Sequence, residues 1–186
     1  MERNLLIAGF GGQGVMMLGK LLAAAACDYT DKNVTYFPSY GAEQRGGTAN
    51  CYVVISDSLI GAPVMDAMED LIVMNQPSLQ RFLEKLKPGG TLFMNSSIVS
   101  GEIGRTDIRV IRIPVTEMAL EMGSSKVLNI IMLGVYVGFT KILSEDVVDR
   151  TIEKTLGKKQ NLLALNRKAF QKGIEIGKEE RSAVKV

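Results

Sequence analysis

The chain has no histidine and no tryptophan among its 186 residues, and its only cysteines are Cys27 and Cys51. Without histidine, the commonest general base and the commonest metal ligand are missing together. Two thiols are too few for an iron–sulfur cluster, which takes about four, and no C-x-x-C pair exists. So low a count suits a reducing compartment, and a cytoplasmic protein without disulfides is expected. Cys27 is placed on the apolar side of the first helix and Cys51 at a strand start; both read as core packing.

An excess of charge is also missing. The 22 basic residues nearly match the 20 acidic ones, and no basic block interleaves with aromatics, so nucleic acid is not an expected partner. Met1-Glu-Arg-Asn precedes an apolar run too short for a signal-peptide core. The longest apolar segment, Val127 to Leu143, carries Asn129, spaced glycines and Lys141. It reads as a buried helix and not a membrane span. A single domain over 1–186 is expected, its last residues, 178–186, charged and frayed.

What the chain does have is concentrated at its start. Leu5 to Ala8 is a strand-length apolar run, followed by Gly9, Gly11, Gly12 and Gly14 with only Phe10 and Gln13 between them. Val15, Leu18, Leu22 and Ala25 or Ala26 then recur at helical spacing. Strand, glycine turn and helix together form the layout in which helix N-terminal N–H groups cradle an anion.

Three ligands fit such a turn. A dinucleotide wants an acid or an arginine at the end of the second strand, and here that strand ends Tyr36-Phe-Pro-Ser-Tyr40 with no acid before Glu43. A Walker A loop is excluded although Gly14 to Lys20 fits G-x-x-x-x-G-K, because Leu21 stands where Ser or Thr must reach magnesium. Another phosphate- or amide-rich ligand, or a partner surface, fits without conflict. Close packing alone would also account for the glycines.

Along the rest of the chain, Val34 to Phe37 reads as a strand stopped by Pro38, and Ala49 to Ser56 as a third strand. Leu59 to Pro63 is read as a brief antiparallel partner. Leu71 to Asn75 and Thr91 to Asn95 are apolar strands ending in asparagine, with a helix from Gln76 to Leu86 between them. Ile108 to Ile113 reads as an edge strand, and Pro114 opens a short helix. Helices follow over Val127 to Leu143, from Ser144 to about Leu156, and from Lys158 to about Gly177. The pattern predicts an α/β fold: three α/β/α layers, a mostly parallel sheet mixed at one edge, and a helical C-terminal third.

Between the second and third strands, Ser39 to Thr48 is a polar loop carrying Tyr40, Glu43, Gln44, Arg45 and Thr48, with Gly46-Gly47 directly after the charged pair. Such glycines let backbone approach another group closely. Under the doubly wound rule this loop and the glycine turn share the C-terminal strand edge and line one crevice. Arg45 either binds a phosphate or carboxylate or pairs with Glu43. Asn75, Asn95 and Asn129 read as caps or turn formers, or as amides offered to a ligand at that edge. The methionines at 16–17, 118–122 and 132 read as core filler or an adaptable subunit face.

At these residues the chain resembles a family. Ile7-Ala-Gly-Phe-Gly-Gly-Gln-Gly-Val15, Pro38 to Cys51, Ile55-Ser-Asp with Ile60-Gly-Ala-Pro63, Lys87-Pro-Gly-Gly-Thr and Asn129 to Gly134 resemble the gamma subunit of 2-oxoacid:ferredoxin oxidoreductases. Arg45-Gly-Gly-Thr-Ala-Asn50 resembles the 2-oxoglutarate and 2-oxoisovalerate members more than the pyruvate ones.

The resemblance implies an enzyme that decarboxylates a 2-oxoacid on thiamine diphosphate, passes electrons through iron–sulfur clusters to ferredoxin, and forms an acyl-CoA. Thiamine diphosphate and clusters are then expected on alpha, beta and ferredoxin-like delta partners, and none of these cofactors is held by this chain alone. The gamma unit is implied at the coenzyme A end of the shared site. Its expected contact residues are Gly9, Gly11, Gly12, Gln13, Gly14, Tyr40, Glu43, Arg45, Gly46, Gly47, Thr48 and Asn129, with no catalytic residue and no metal ligand. Two competing readings are a free-standing Rossmann-like protein binding NAD or flavin, and a purely structural subunit.

Overall fold

The computed structural model describes residues 1–40, 48–64, 66–157 and 160–184. The N-terminal apolar run forms β1 (Glu2–Phe10), buried from Asn4 to Gly9. Helix α1 (Val15–Tyr29) follows the glycine turn, then β2 (Asn33–Tyr40), β3 (Thr48–Ser56), β4 (Met68–Val73) and α2 (Gln76–Phe82). The chain continues through β5 (Leu86–Asn95), β6 (Arg109–Ile113), α3 (Val115–Glu121), α4 (Leu128–Thr140), α5 (Glu145–Leu156) and α6 (Gln160–Ala183).

The sheet order is β2-β3-β1-β4-β5-β6. β1, β4, β5 and β6 run parallel, whereas β3 is antiparallel to both β1 and β2. The expected α/β fold with one mixed edge is therefore present. Its antiparallel strand is β3 itself and not Leu59 to Pro63, which lies in irregular chain.

Side-chain alternation divides the core. Leu5, Ile7, Ile72, Phe93 and Ile111 face α1, α3, α4, α5 and α6. Leu6, Ala8, Leu71 and Leu92 face α2, through Leu79 and Phe82. The layers are unequal, with five helices on one face and only short elements on the other.

Three expected boundaries shift for local reasons. β2 continues through Pro38 to Tyr40, because an outermost strand tolerates a residue without an N–H. The helix expected to reach Leu86 ends at Phe82, and Lys87 to Gly90 joins β5, where Gly89 (φ 78) donates its N–H to the Asp107 carbonyl at 2.7 Å. Helix α6 runs past Gly177 to Ala183. Cys27 also departs from expectation. It is exposed, since the inward stripe of α1 runs through Leu18, Leu22, Ala25 and Ala26 and leaves position 27 outside.

One feature locks two helices together and a second ties the helical side to the sheet. Gly134 and Gly138 of α4 meet Gly173 and Gly177 of α6 so closely that a Cβ on Gly173 would overlap the Ile131 carbonyl oxygen. No side chain separates the two backbones there. Below them, the fully buried Asp70 of β4 accepts both a forked bond from Arg3 and the Tyr136 hydroxyl at 2.9 Å. Burial and the neighbouring Asp70 charge push the Tyr136 hydroxyl pKa well above its ordinary value.

Candidate functional site

The glycine turn lies where β1 ends beside β4. Gly12 (φ 97) and Gly14 (φ 72) adopt left-handed backbone, a conformation that costs a side chain dearly, and Gly14 caps α1. Gln13 does not project from the turn. Its Oε1 accepts the Phe10 N–H at 2.7 Å and its Nε2 donates to the Met74 carbonyl at 2.8 Å, tying the turn to β4. Gly9 is a packing glycine, because a Cβ there would lie 2.7 Å from that same Oε1. Gly11 is different: its φ is not left-handed and nothing lies within 4 Å of a Cβ placed on it. The fold itself makes no demand for glycine at 11.

Asn129, in the first turn of α4, donates from Nδ2 to the Gly14 carbonyl at 3.2 Å. This bond brings the N-terminal ends of α1 and α4 together over a cavity of about 270 Å³. Gly12, Gln13 and Gly14 form one wall, and Ser125, Lys126 and Asn129 the other. The first-turn N–H groups of an α-helix have no intrahelical acceptor and carry the positive end of its dipole. Gly14 gives α1 no side-chain cap, while at α4 the Leu128 N–H already donates to the Ser125 carbonyl in the turn before the helix. The α1 end, the remaining α4 dipole and Lys126 in the facing wall make this cavity suited to an anion. Lys126 was not singled out in the sequence, where it is one polar residue in a stretch between helices.

The second loop begins and ends at the same edge. Register pairs Phe10 with Thr48 and Tyr40 with Ala49, so the chain leaves β2 and enters β3 beside the glycine turn. Thr48 is half-buried, and its Oγ1 accepts from Arg81 of α2 at 3.5 Å, bringing a further cation to this edge. Glu43, Arg45, Gly46 and Gly47, with Gln44, lie outside the described residues.

The other asparagines serve the chain. Asn75 caps α2 by accepting from the Ser78 N–H at 2.8 Å, and Asn95 donates to Thr116 Oγ1 at 2.8 Å. Burial pushes the Cys51 thiol up to about 12, with its Sγ directed at the Val15 carbonyl, so it is no nucleophile. Among the described residues no three His, Cys, Asp or Glu side chains gather as a metal site, and no helix is long and apolar enough to cross a membrane.

Residues 4–176 match the pyruvate ferredoxin/flavodoxin oxidoreductase family. The chain belongs to this family. Within it, the chain is 33% identical over 184 residues to the 2-oxoglutarate synthase subunit KorC of Methanocaldococcus jannaschii, covering 96% of each. It is 37% identical over 180 residues to the ketoisovalerate oxidoreductase subunit VorA of Methanothermobacter thermautotrophicus, and there spans only 37% of the relative's length. The gamma subunit of a keto/oxoacid ferredoxin oxidoreductase from Geobacter sulfurreducens superposes with a TM-score of 0.84 at 28% identity, over 97% of this chain and 98% of that one. The 2-oxoglutarate:ferredoxin oxidoreductase of Magnetococcus marinus, solved with 2-oxoglutarate, coenzyme A and succinyl-CoA bound, gives 0.88 at 26% identity. That match covers 96% of this chain and 31% of that one. The resemblance to gamma subunits read from the glycine turn and second-loop motifs is borne out.

Proposed function

We propose that this chain serves as the gamma subunit of a 2-oxoacid:ferredoxin oxidoreductase of the 2-oxoglutarate synthase type, and that its glycine-turn edge faces coenzyme A. The end-to-end correspondence with a 2-oxoglutarate synthase subunit supports the type. The observation that carries the site is the cavity where the Asn129–Gly14 bond joins two helix N-termini beside Lys126. In this reading α1, α4 and Lys126 hold phosphate oxygens of coenzyme A, and the open face at Gly11 admits the ligand or a partner's backbone. Coenzyme A supplies the thiol that carries away the acyl group. Gln13 and Asn129 position the turn, and Arg45 contributes from the second loop. Thiamine diphosphate, the iron–sulfur clusters and the ferredoxin contact belong to alpha, beta and delta partners in the cytoplasm, with the chain acting as one domain.

Purification of this subunit from its native cell tests the assignment. Partners carrying thiamine diphosphate and iron–sulfur clusters are expected. A solitary yellow protein, or one stabilised by NAD, would overturn it. In the assembled complex, Lys126→Gln and Arg45→Ala should each raise the KM for coenzyme A. An unchanged KM in both variants removes the coenzyme A role while leaving subunit membership intact.

A further inference from the structure

At the opposite end of the sheet, three arginines gather around one shallow cavity of about 240 Å³. Arg3 comes from the start of β1, Arg109 is the first residue of β6, and Arg181 lies near the end of α6. Phe139 and Thr140, at the C-terminus of α4, and Val184, just past α6, complete the lining. The charge of Arg3 is matched by Asp70. Those of Arg109 and Arg181 have no carboxylate partner among the described residues. Arg109 is held by Thr91 Oγ1 at 3.4 Å and lies 5.7 Å from the centre of the Phe139 ring. Arg181 donates to the Phe139 carbonyl at 3.1 Å.

A bland account makes these arginines caps for the α4 C-terminus. The negative end of a helix dipole is worth only about half an elementary charge, which two guanidinium groups exceed. Arg181 also lines an adjoining cavity of about 120 Å³ with Lys141 and Lys178. Lys178 is paired with Glu145, and Lys141 has no acidic partner among the described residues. The positive potential here is therefore not neutralised within the described chain, and the guanidinium forks are held in place by an aromatic ring and a carbonyl. Such preset forks match the planar or trigonal oxygens of carboxylate and phosphate.

We infer that this cluster is a binding site for a small free anion bearing phosphate or carboxylate groups, separate from the glycine-turn edge and independent of its assignment. The cavity's size fits a phosphoryl group or a short dicarboxylate and not a nucleotide. Arg109 and Arg181 supply the direct contacts, and Arg3, already engaged by Asp70, lends its outer N–H groups.

Calorimetric titration of the full chain with inorganic phosphate, and separately with malonate, at constant ionic strength tests this. Saturable binding of at least one anion is expected, and which one binds identifies the phosphoryl or the carboxylate source. Arg109→Gln and Arg181→Gln should each weaken it at least about tenfold, with thermal midpoints in anion-free buffer reporting whether each variant folds. Should one fail to fold, the other carries the test. Absence of saturable binding to either anion overturns the site. So does equal affinity in the folded arginine variants, or a loss produced by Lys126→Gln instead.

Discussion

Asn129 and Gly14, 115 positions apart in the chain, are joined by a single side-chain-to-backbone hydrogen bond of 3.2 Å. That bond decides how two helix ends from opposite halves of the sequence face each other. Since the Gly14 carbonyl also accepts from the Leu18 N–H, Asn129→Ala leaves no orphan acceptor. It should cost about 0.5–1.5 kcal/mol in urea unfolding. Gly14→Ala should cost more, because it combines a left-handed φ of 72 with a Cβ 2.5 Å from the Asn129 amide. If Gly14→Ala proved the milder of the two, the described contact would be wrong.

Gln13 is bonded at both ends of its carboxamide, and Gln13→Leu would strip a partner from the Phe10 N–H and from the Met74 carbonyl. A loss of about 1–3 kcal/mol is expected. Amide hydrogen exchange should speed up at Phe10 in particular. A variant as stable as the parent with unchanged exchange there would show that the turn does not depend on Gln13.

Gly173→Ala should destabilise by about 1–3 kcal/mol or more, since overpacking here must displace backbone and not a flexible side chain. The paired variant Gly11→Ala, with open space around its Cβ, should unfold at nearly the parent's denaturant concentration. Within an assembled complex, the same Gly11→Ala change should weaken coenzyme A binding or subunit association. The two variants thus separate folding demand from ligand demand.

Acid should destabilise the chain through depressed carboxylates. Lys32 and the N-terminal ammonium hold Asp57 at about 2. Burial would raise Glu69, but Lys87 and the Asn4 N–H groups outweigh it and set it below the ordinary value. A depressed folded-state pKa adds stability that is fully present above the unfolded value of about 4 and disappears as pH falls below it. The thermal midpoint should therefore be level near neutrality and fall between pH about 4 and about 2, less steeply in Asp57→Asn. Asp57 is exposed, so added salt should flatten its share.

Thiol chemistry should distinguish the two cysteines. Cys27 is exposed, while Cys51 is buried with its thiol pushed up to about 12. Ellman's reagent should titrate one thiol in the native isolated chain at neutral pH and two after denaturation. Fast reaction of both would mean that the sheet opens readily at β3.

The strand–turn–helix opening and the C-terminal helices were legible because their periodicity is local. The direction of β3 was legible too, by a route the doubly wound rule obscured. Between Tyr40 and Thr48 there is too little chain for a parallel crossover, which needs a dozen or more residues. Both routes place the loop at the glycine-turn edge, but only the hairpin explains the Phe10–Thr48 register. Lys126 and the Arg3, Arg109 and Arg181 cluster were not legible, because what singles them out is convergence from distant segments. The positioning role of Gln13 was not legible either, because its inward rotation depends on the Met74 carbonyl, 61 positions away.

The backbone contact between α4 and α6 also bears on the order of assembly. Every residue of α4 from Leu128 to Phe139 is buried, and its glycine face is covered only by a helix that starts at Gln160. On the ribosome, α4 emerges well before its cover does. Until α6 arrives, an almost wholly apolar helix has one side open to water, so the interval between the two segments is when the nascent chain is most exposed to aggregation and most in need of a chaperone.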